Sequence, residues 1–149
     1  MQEQEASARY AMLIQSGIRI PPLTFAEIMV GEHYIRQSYE LLSGKWIALI
    51  GVDAPFLPVC TQAHWPKFVE MVLKMFAFGF DIAVCIFSSD PWSFTAWRKQ
   101  IDPDGRLWFL SDGNLDFGRA CCLTATHKEF FLGTRLASFS MIARDRVIK

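Results

Sequence analysis

The residue best suited to chemistry in this chain is Cys60, which follows an apolar segment and a proline-containing loop, WIALIGVDAPFLPVC. We expect Trp46–Val52 to form a buried strand and Cys60 to begin a helix. The free N–H groups of a first helical turn and the positive end of the helix dipole favour a thiolate over a thiol. The spacing therefore predicts a cysteine that can act as a nucleophile.

For the other residues with reactive side chains, a catalytic role is less strongly indicated. His64 lies one helical turn after Cys60, where it could favour the thiolate or serve only in packing and hydrogen bonding. Cys85 falls in an expected buried strand and is interpreted as a small apolar core residue. Cys121 and Cys122 could resolve an oxidised cysteine or bind metal, but no other ligand stands near them in sequence, so a structural role is favoured. Two further residues are assigned to turn surface, His127 and Lys128.

Composition indicates one compact domain. The chain has 149 residues, 52% hydrophobic and 20% charged, and its formal net charge is zero. A sizeable core is therefore available, and neither nucleic acid nor an anionic membrane surface is indicated as a partner. Residues 71–87 are the most apolar window, but Lys74 and Asp81 interrupt it, which argues against a membrane span.

The N-terminal residues and the cysteines indicate in which cellular compartment the protein is expected. The first ten residues, MQEQEASARY, lack the basic and apolar regions of a secretory signal. Four cysteines occur without a CxxC pair, and no metal-ligand spacing or cofactor motif is found, so no cofactor is expected. We expect a reducing intracellular compartment, cytoplasmic or mitochondrial.

Apolar periodicity predicts alternating strands and helices. A parallel crossover unit is expected from the strand at 46–52, a helix over 60–78 that is kinked near Pro66, and the strand Ile82–Phe87. Asp90 and Pro91 have the types expected of a cap and first turn, and Trp97 is expected in the core. The remaining expected elements are helices over 4–15, 91–99 and 115–122, a short element over 39–42, and strands over 107–110, 130–132, 138–143 and from 147 onward.

Several ordered blocks between residues 20 and 149 resemble the peroxiredoxin family, in particular its type-5 (atypical) branch. They are the spacing of Cys60, His64, Pro66 and Phe68, the strand Ile82–Phe87, SSDPWSFTAW, LSDGNLDFG and the final FSM at residues 139–141. The resemblance implies an α/β fold of the thioredoxin-like class, with a central mixed sheet flanked by helices. Residues 1–19 would then be an N-terminal extension, and residues 20–149 a redoxin domain without the family's C-terminal tail.

The resemblance fails where the family has its active-site residues. Peroxiredoxins share a Pro-x-x-x-Thr-x-x-Cys loop and a distant arginine, and here Asp53 and Leu57 stand for the proline and threonine, and Ser138 for the arginine. Leucine and serine cannot orient peroxide or stabilise developing charge as threonine and arginine do. Arg135 could substitute for the arginine, but three residues along one strand it would face the opposite side, unless a bulge turned it.

If the chain ends at Lys149, we expect it to lack the family's position for a resolving cysteine as well. Any turnover through Cys60 would then need an external thiol reductant, which could be glutathione or a thioredoxin-like protein.

The helix after Cys60 has more apolar surface than one core can cover. Met71, Met75 and Phe78 fall outside its core stripe, which favours a surface for another protein subunit over an unusually thick core. Two hypotheses follow. The preferred one is a catalytically degenerate peroxiredoxin that acts as a structural or adaptor subunit. The alternative is a slow one-cysteine thiol peroxidase or redox sensor that reduces hydrogen peroxide or alkyl hydroperoxides through Cys60.

Overall fold

The computed structural model describes residues 17, 19–29, 32–54, 65–102, 104–105 and 107–149. Three residues of the expected active site, Leu57, Cys60 and His64, lie outside the described residues, as does the helix expected over 4–15. The described strands and helices hold both ends of the segment that contains Cys60.

Strands and helices alternate through most of the described chain, as the apolar periodicity predicts. Its strands are β1 (Thr24–Met29), β2 (Glu32–Gln37), β3 (Trp46–Val52), β4 (Ile82–Phe87), β5 (Trp108–Ser111), β6 (Thr124–His127), β7 (Gly133–Leu136), β8 (Phe139–Arg144) and β9 (Val147–Ile148). Its helices are α1 (Ser38–Leu42), α2 (Trp65–Ala77), α3 (Pro91–Ile101) and α4 (Asp116–Ala120), with a 3-10 turn over Lys128–Phe130.

The described strands form a mixed sheet of seven, in the order β2-β1-β5-β4-β3-β8-β9, and a separate pair, β6-β7. β3, β4 and β5 are parallel to one another, and the other pairings are antiparallel. The connection from β3 to β4 contains α2, and the one from β4 to β5 contains α3. These are the crossovers that parallel strands require. The predicted mixed sheet flanked by helices is confirmed.

Alternate residues of the central strands supply two cores, one on each face of the sheet. On β3, Ile47 and Leu49 join the core that contains Phe117 of α4. Ala48, Ile50 and Val52 join the opposite core, which is built from α2 and α3. Trp97 is fully buried there, as expected. The segment that contains Cys60 thus leaves a strand that is buried on both faces.

Three expectations about secondary structure were wrong or incomplete. Residues 130–132 are not a strand, because Phe130 ends the 3-10 turn and Phe131 adopts a left-handed conformation with φ of 57°. The strands here are instead β6 and β7, whose hairpin these apolar residues close. The β1-β2 hairpin was not predicted. The helix expected over 115–122 is shorter, since Leu115 is left-handed and α4 ends at Ala120.

Candidate active-site edge

The carboxyl ends of β3, β4 and β5 meet at one edge of the sheet, and an aspartate follows each strand within three residues: Asp53, Asp90 and Asp112. In parallel α/β sheets this edge is where functional groups gather. Asp90 caps α3, since its carboxylate accepts from the Ser93 N–H at 2.8 Å and from the Ser93 hydroxyl at 2.7 Å. These bonds lower the pKa of Asp90.

Asp53 stands where the family resemblance places a proline, and its carboxylate is held from two other elements. One oxygen, Oδ1, accepts a hydrogen bond of 2.8 Å from the Ser138 hydroxyl. The other, Oδ2, lies 3.1 Å from Nε2 of His127, at the end of β6. Two positions at which this chain departs from the family, 53 and 138, are therefore in direct contact.

The antiparallel pairing of β3 with β8 explains why Ser138 reaches Asp53. Gly51 pairs with Phe139 across these strands, and continuing that register brings Ser138 alongside the end of β3. A Cβ atom at Gly51 would overlap the ring of Phe139. Glycine is needed here because the aromatic ring occupies the space of a side chain.

The backbone at Asp53 is fixed as well. The buried hydroxyl of Ser88, just after β4, donates to the Asp53 carbonyl at 3.0 Å and accepts from the Leu136 N–H at 2.8 Å. This one serine joins the ends of β3, β4 and β7. The start of the segment that leads to Cys60 is thus tied to three neighbouring elements.

His127 was assigned to turn surface, and that assignment was wrong. The residue is the last of β6, it is half-buried, and it contacts Asp53 through Nε2, while Nδ1 lies 3.9 Å from a Glu129 carboxylate oxygen. Its sequence gives no indication of this contact, because the two residues are brought together only by the hairpin of β6 and β7.

The far end of the segment that contains Cys60 is anchored in the core. Trp65, the first residue of α2, is buried and donates from its indole nitrogen to the Ile101 carbonyl at 3.0 Å. Its ring packs edge-on against Trp97, with centroids 5.4 Å apart. Pro66 occupies the first turn of the described helix, where the missing N–H costs nothing.

Arg135 does not share a strand with Ser138, contrary to the expectation. It belongs to β7, which ends at Leu136, whereas β8 begins after Ser138. Alternation along one strand therefore does not determine which side Arg135 faces. Arg135 lines an open cavity at the same edge, together with Ala54, and its Nε donates to the Leu132 carbonyl at 2.8 Å.

Of the cysteines in the described residues, Cys85 and Cys121 are poorly placed for redox chemistry, whereas Cys122 is exposed. Cys85 is fully buried in β4, as expected. Cys121 follows α4 and is partly buried. Burial, with smaller contributions from Asp112 and Cys122, raises its pKa to about 11, which keeps it a thiol at neutral pH. Among the described residues, no group of three or more His, Cys, Asp or Glu side chains could hold a metal ion.

The helix face proposed for partner binding is partly exposed. Met71 is 39% exposed, Phe78 is 80% exposed in the turn after α2, and Leu73, which was not named beforehand, is 45% exposed. Met75 is instead partly buried and packs against the core of α2 and α3. Met75 is therefore less available to a partner than the other three residues. Within the described residues, no helix is both long and apolar enough to cross a membrane.

Comparison with known proteins shows the family to which the chain belongs. No family model matches the chain. Peroxiredoxin-2C of Oryza sativa subsp. japonica is 30% identical over 115 residues, which cover 76% of this chain and 71% of that protein. Chloroplastic peroxiredoxin-2E-2 of the same plant is 33% identical over 113 residues, covering 74% of this chain and 50% of that protein. The chain belongs to the peroxiredoxin family.

Solved structures share the fold. Reduced Prx3 of Vibrio vulnificus in complex with hydrogen peroxide superposes with a TM-score of 0.83 at 24% identity, covering 91% of this chain and 84% of that one. Peroxiredoxin 5 of Alvinella pompejana gives 0.80 at 24% identity, covering 91% and 86%. The thioredoxin-like class is confirmed. This chain spans half to three-fifths of the length of the chloroplastic relatives, and the expected reducing compartment stays a prediction.

Proposed function

We propose that this protein is a peroxiredoxin whose peroxide-reducing centre is degenerate, and that it acts mainly as a protein subunit. The observation that supports the proposal is the 2.8 Å hydrogen bond between Ser138 and Asp53. At the two positions where the family resemblance implies an arginine and a proline, this chain has a hydroxyl bonded to a carboxylate.

The exchange reverses the electrostatics of the site. A guanidinium stabilises a thiolate and the negative charge that develops on the departing oxygen of peroxide. A serine hydroxyl has no charge, and here it donates to Asp53 instead of to a substrate. The Asp53 carboxylate adds negative charge at the base of the segment that leads to Cys60, which disfavours a thiolate nearby.

The peroxidase hypothesis is tested by the rate of Cys60 sulfenic acid formation with hydrogen peroxide, followed by tryptophan fluorescence and mass spectrometry. The natural chain is compared with an Asp53→Pro, Leu57→Thr, Ser138→Arg variant, and Cys60→Ser is the control. Asp53 is included because it would otherwise pair with an arginine at 138. We expect the natural chain to react no faster than a free thiol, and the variant to react faster.

A fast reaction of the natural chain would overturn the proposal in favour of the slow one-cysteine peroxidase or sensor, turned over by an external thiol. Arg135→Gln identifies the source of such activity. If that change removed the reaction, Arg135 would be the replacement for the family arginine.

A subunit role is supported by the exposed apolar side chains of Met71, Leu73 and Phe78. Met71 and Phe78, seven positions apart, lie on the same side of α2, whereas Leu73 lies on the other flank. Exposed apolar side chains can mark interaction sites, and methionine and aromatic residues are enriched in them. A Met71→Lys, Phe78→Lys double variant should lose partners that co-purify with the full chain from its own cells. Glu70→Lys, on the exposed polar side of α2, is the matched control. Equal recovery of the same partners with both variants would reject this surface.

A further inference from the structure

An open cavity of about 500 Å³ lies at the edge of the sheet beside Asp53. The described residues around it include polar side chains from three parts of the chain: Ser89 and Asp90 after β4, Ser93 of α3, and Thr134 and Arg135 of β7. Gly113, after β5, adds backbone. Its volume is within the range of small-molecule sites in proteins. The distribution of charge around it indicates what it can hold.

Opposite charges face this cavity without neutralising each other. Arg135 contributes a guanidinium and Asp90 a carboxylate, and no ion pair joins them in the described structure. Arg135 is oriented through its Nε bond to the Leu132 carbonyl, and its terminal nitrogens have no acceptor among the described residues. Those nitrogens form the part of the fork that binds a carboxylate.

The carboxylate side of the cavity is equally fixed. Both oxygens of Asp90 accept bonds from Ser93 at the start of α3, which holds the group in place. Each carboxylate oxygen has a further lone pair, so Asp90 can still accept from a ligand. The lowered pKa of Asp90 keeps it ionised at neutral pH.

An unsatisfied hydroxyl gives a second indication of a ligand. Ser89 lines the cavity and is only 8% exposed, and its Oγ has no hydrogen-bond partner in the described part of the chain. Buried hydroxyls are rarely left unpaired, because the lost hydration is not replaced. Rotation about a single bond re-aims a serine hydroxyl, so a polar ligand beside it can supply the missing partner.

We propose that this cavity binds a small zwitterion of the amino-acid or short-peptide class, with its carboxylate on Arg135 and its ammonium group against Asp90. An anion alone would face Asp90 unfavourably, and a cation alone would face Arg135. A ligand with both charges satisfies both groups. Binding at this cavity does not require Cys60 or any peroxidase activity.

The first test is calorimetry of the full natural chain with three probes: glycylglycine, its N-acetylated form and its C-terminal amide. We expect glycylglycine to bind with an affinity of about 1 mM, and each blocked probe to bind about tenfold or more weakly because one charge is lost. Equal binding of all three probes, or no binding of glycylglycine at about 10 mM, would overturn the proposal. This comparison needs no variant and is independent of peroxidase activity.

Substitutions then locate the site. Arg135→Gln should weaken glycylglycine binding about tenfold. Asp90→Asn retains a good helix cap but removes the charge, so it should abolish the preference for glycylglycine over its N-acetylated form. Arg19→Gln is the control, because Arg19 bonds the Asp145 carbonyl at the opposite edge of the sheet. Unchanged binding in a folded Arg135→Gln variant would reject this cavity as the site.

Discussion

Asp53 and Asp112 follow β3 and β5, two parallel strands on either side of β4 in the mixed sheet, yet their carboxylates are satisfied in different ways. Asp112, after β5, accepts from the backbone N–H groups of Phe117 at 3.0 Å and Gly118 at 2.9 Å. Asp53, after β3, accepts from side chains on two other elements, Ser138 and His127. Asp112 is almost fully buried, whereas Asp53 is half-buried.

Asp112 is a local helix cap, whereas Asp53 makes a tertiary contact. Asp112 binds residues five and six positions ahead of it, so the same short stretch of chain supplies the carboxylate and its partners. Asp53 binds residues more than seventy positions away. Each partner of Asp53 can be removed by one substitution, which makes this contact the easier one to alter at the base of the segment that contains Cys60.

The largest effect is expected from Asp112→Ala. This change leaves two backbone N–H groups at the start of α4 without an acceptor, and it should lower the free energy of unfolding by about 2 to 4 kcal/mol. Urea denaturation measures the loss. Asp112→Asn is the matched control, because its amide oxygen still accepts one bond. A larger loss of stability in Asp53→Ala than in Asp112→Ala would show that the tertiary contact, and not the local cap, contributes more to stability.

A second prediction concerns Cys121, whose raised pKa of about 11 is caused first by burial and then by Asp112 and Cys122. Relative to an unperturbed cysteine of pKa 9.0, its thiolate fraction at pH 8 should be about 100-fold lower. Iodoacetamide labelling followed by peptide mass spectrometry gives the rate. A Cys121 that reacts as fast as a free cysteine peptide would show that this side of the sheet is open to solvent.

The pH dependence of stability provides a third test. Burial is the main cause that raises the pKa of Asp112 above 3.8, so the folded state retains a proton that the unfolded state has already lost. The stabilisation from Asp112 is complete below pH 3.8 and is lost as pH rises through the raised pKa, at up to about 1.4 kcal/mol per unit. Denaturation midpoints of the natural chain and Asp112→Asn should therefore differ in slope. Parallel pH profiles would contradict this.

The smallest effect is expected at Asp53. Ser138→Ala and His127→Gln should each cost about 0.5 to 1 kcal/mol, because these contacts are near the surface. Since both residues bond one carboxylate, their effects should not be additive in a double-mutant cycle. Arg119→Gln, at an exposed position of α4, is the control substitution. Strict additivity would mean that Asp53 does not couple Ser138 with His127.

The local pattern of apolar residues correctly predicted those strands and helices whose apolar positions are the buried ones. Ile82–Phe87 forms the expected strand, and Asp90 caps the expected helix. The pattern failed at residues 130–132, where three apolar residues close a hairpin instead of entering the core. It also missed the contact between His127 and Asp53, because a polar pair that is distant in sequence leaves no periodic trace.

The sequence by itself determined the α/β order and the membership of the peroxiredoxin family, because alternation of apolar residues and ordered motifs are local properties of the chain. The tertiary structure alone decided that Asp53, Ser138 and His127 meet, and that Arg135 and Asp90 face one cavity without pairing. These contacts depend on strand register and on how one hairpin packs against the sheet edge. Strand register and hairpin packing are determined by contacts between distant parts of the chain, so no short segment can specify them.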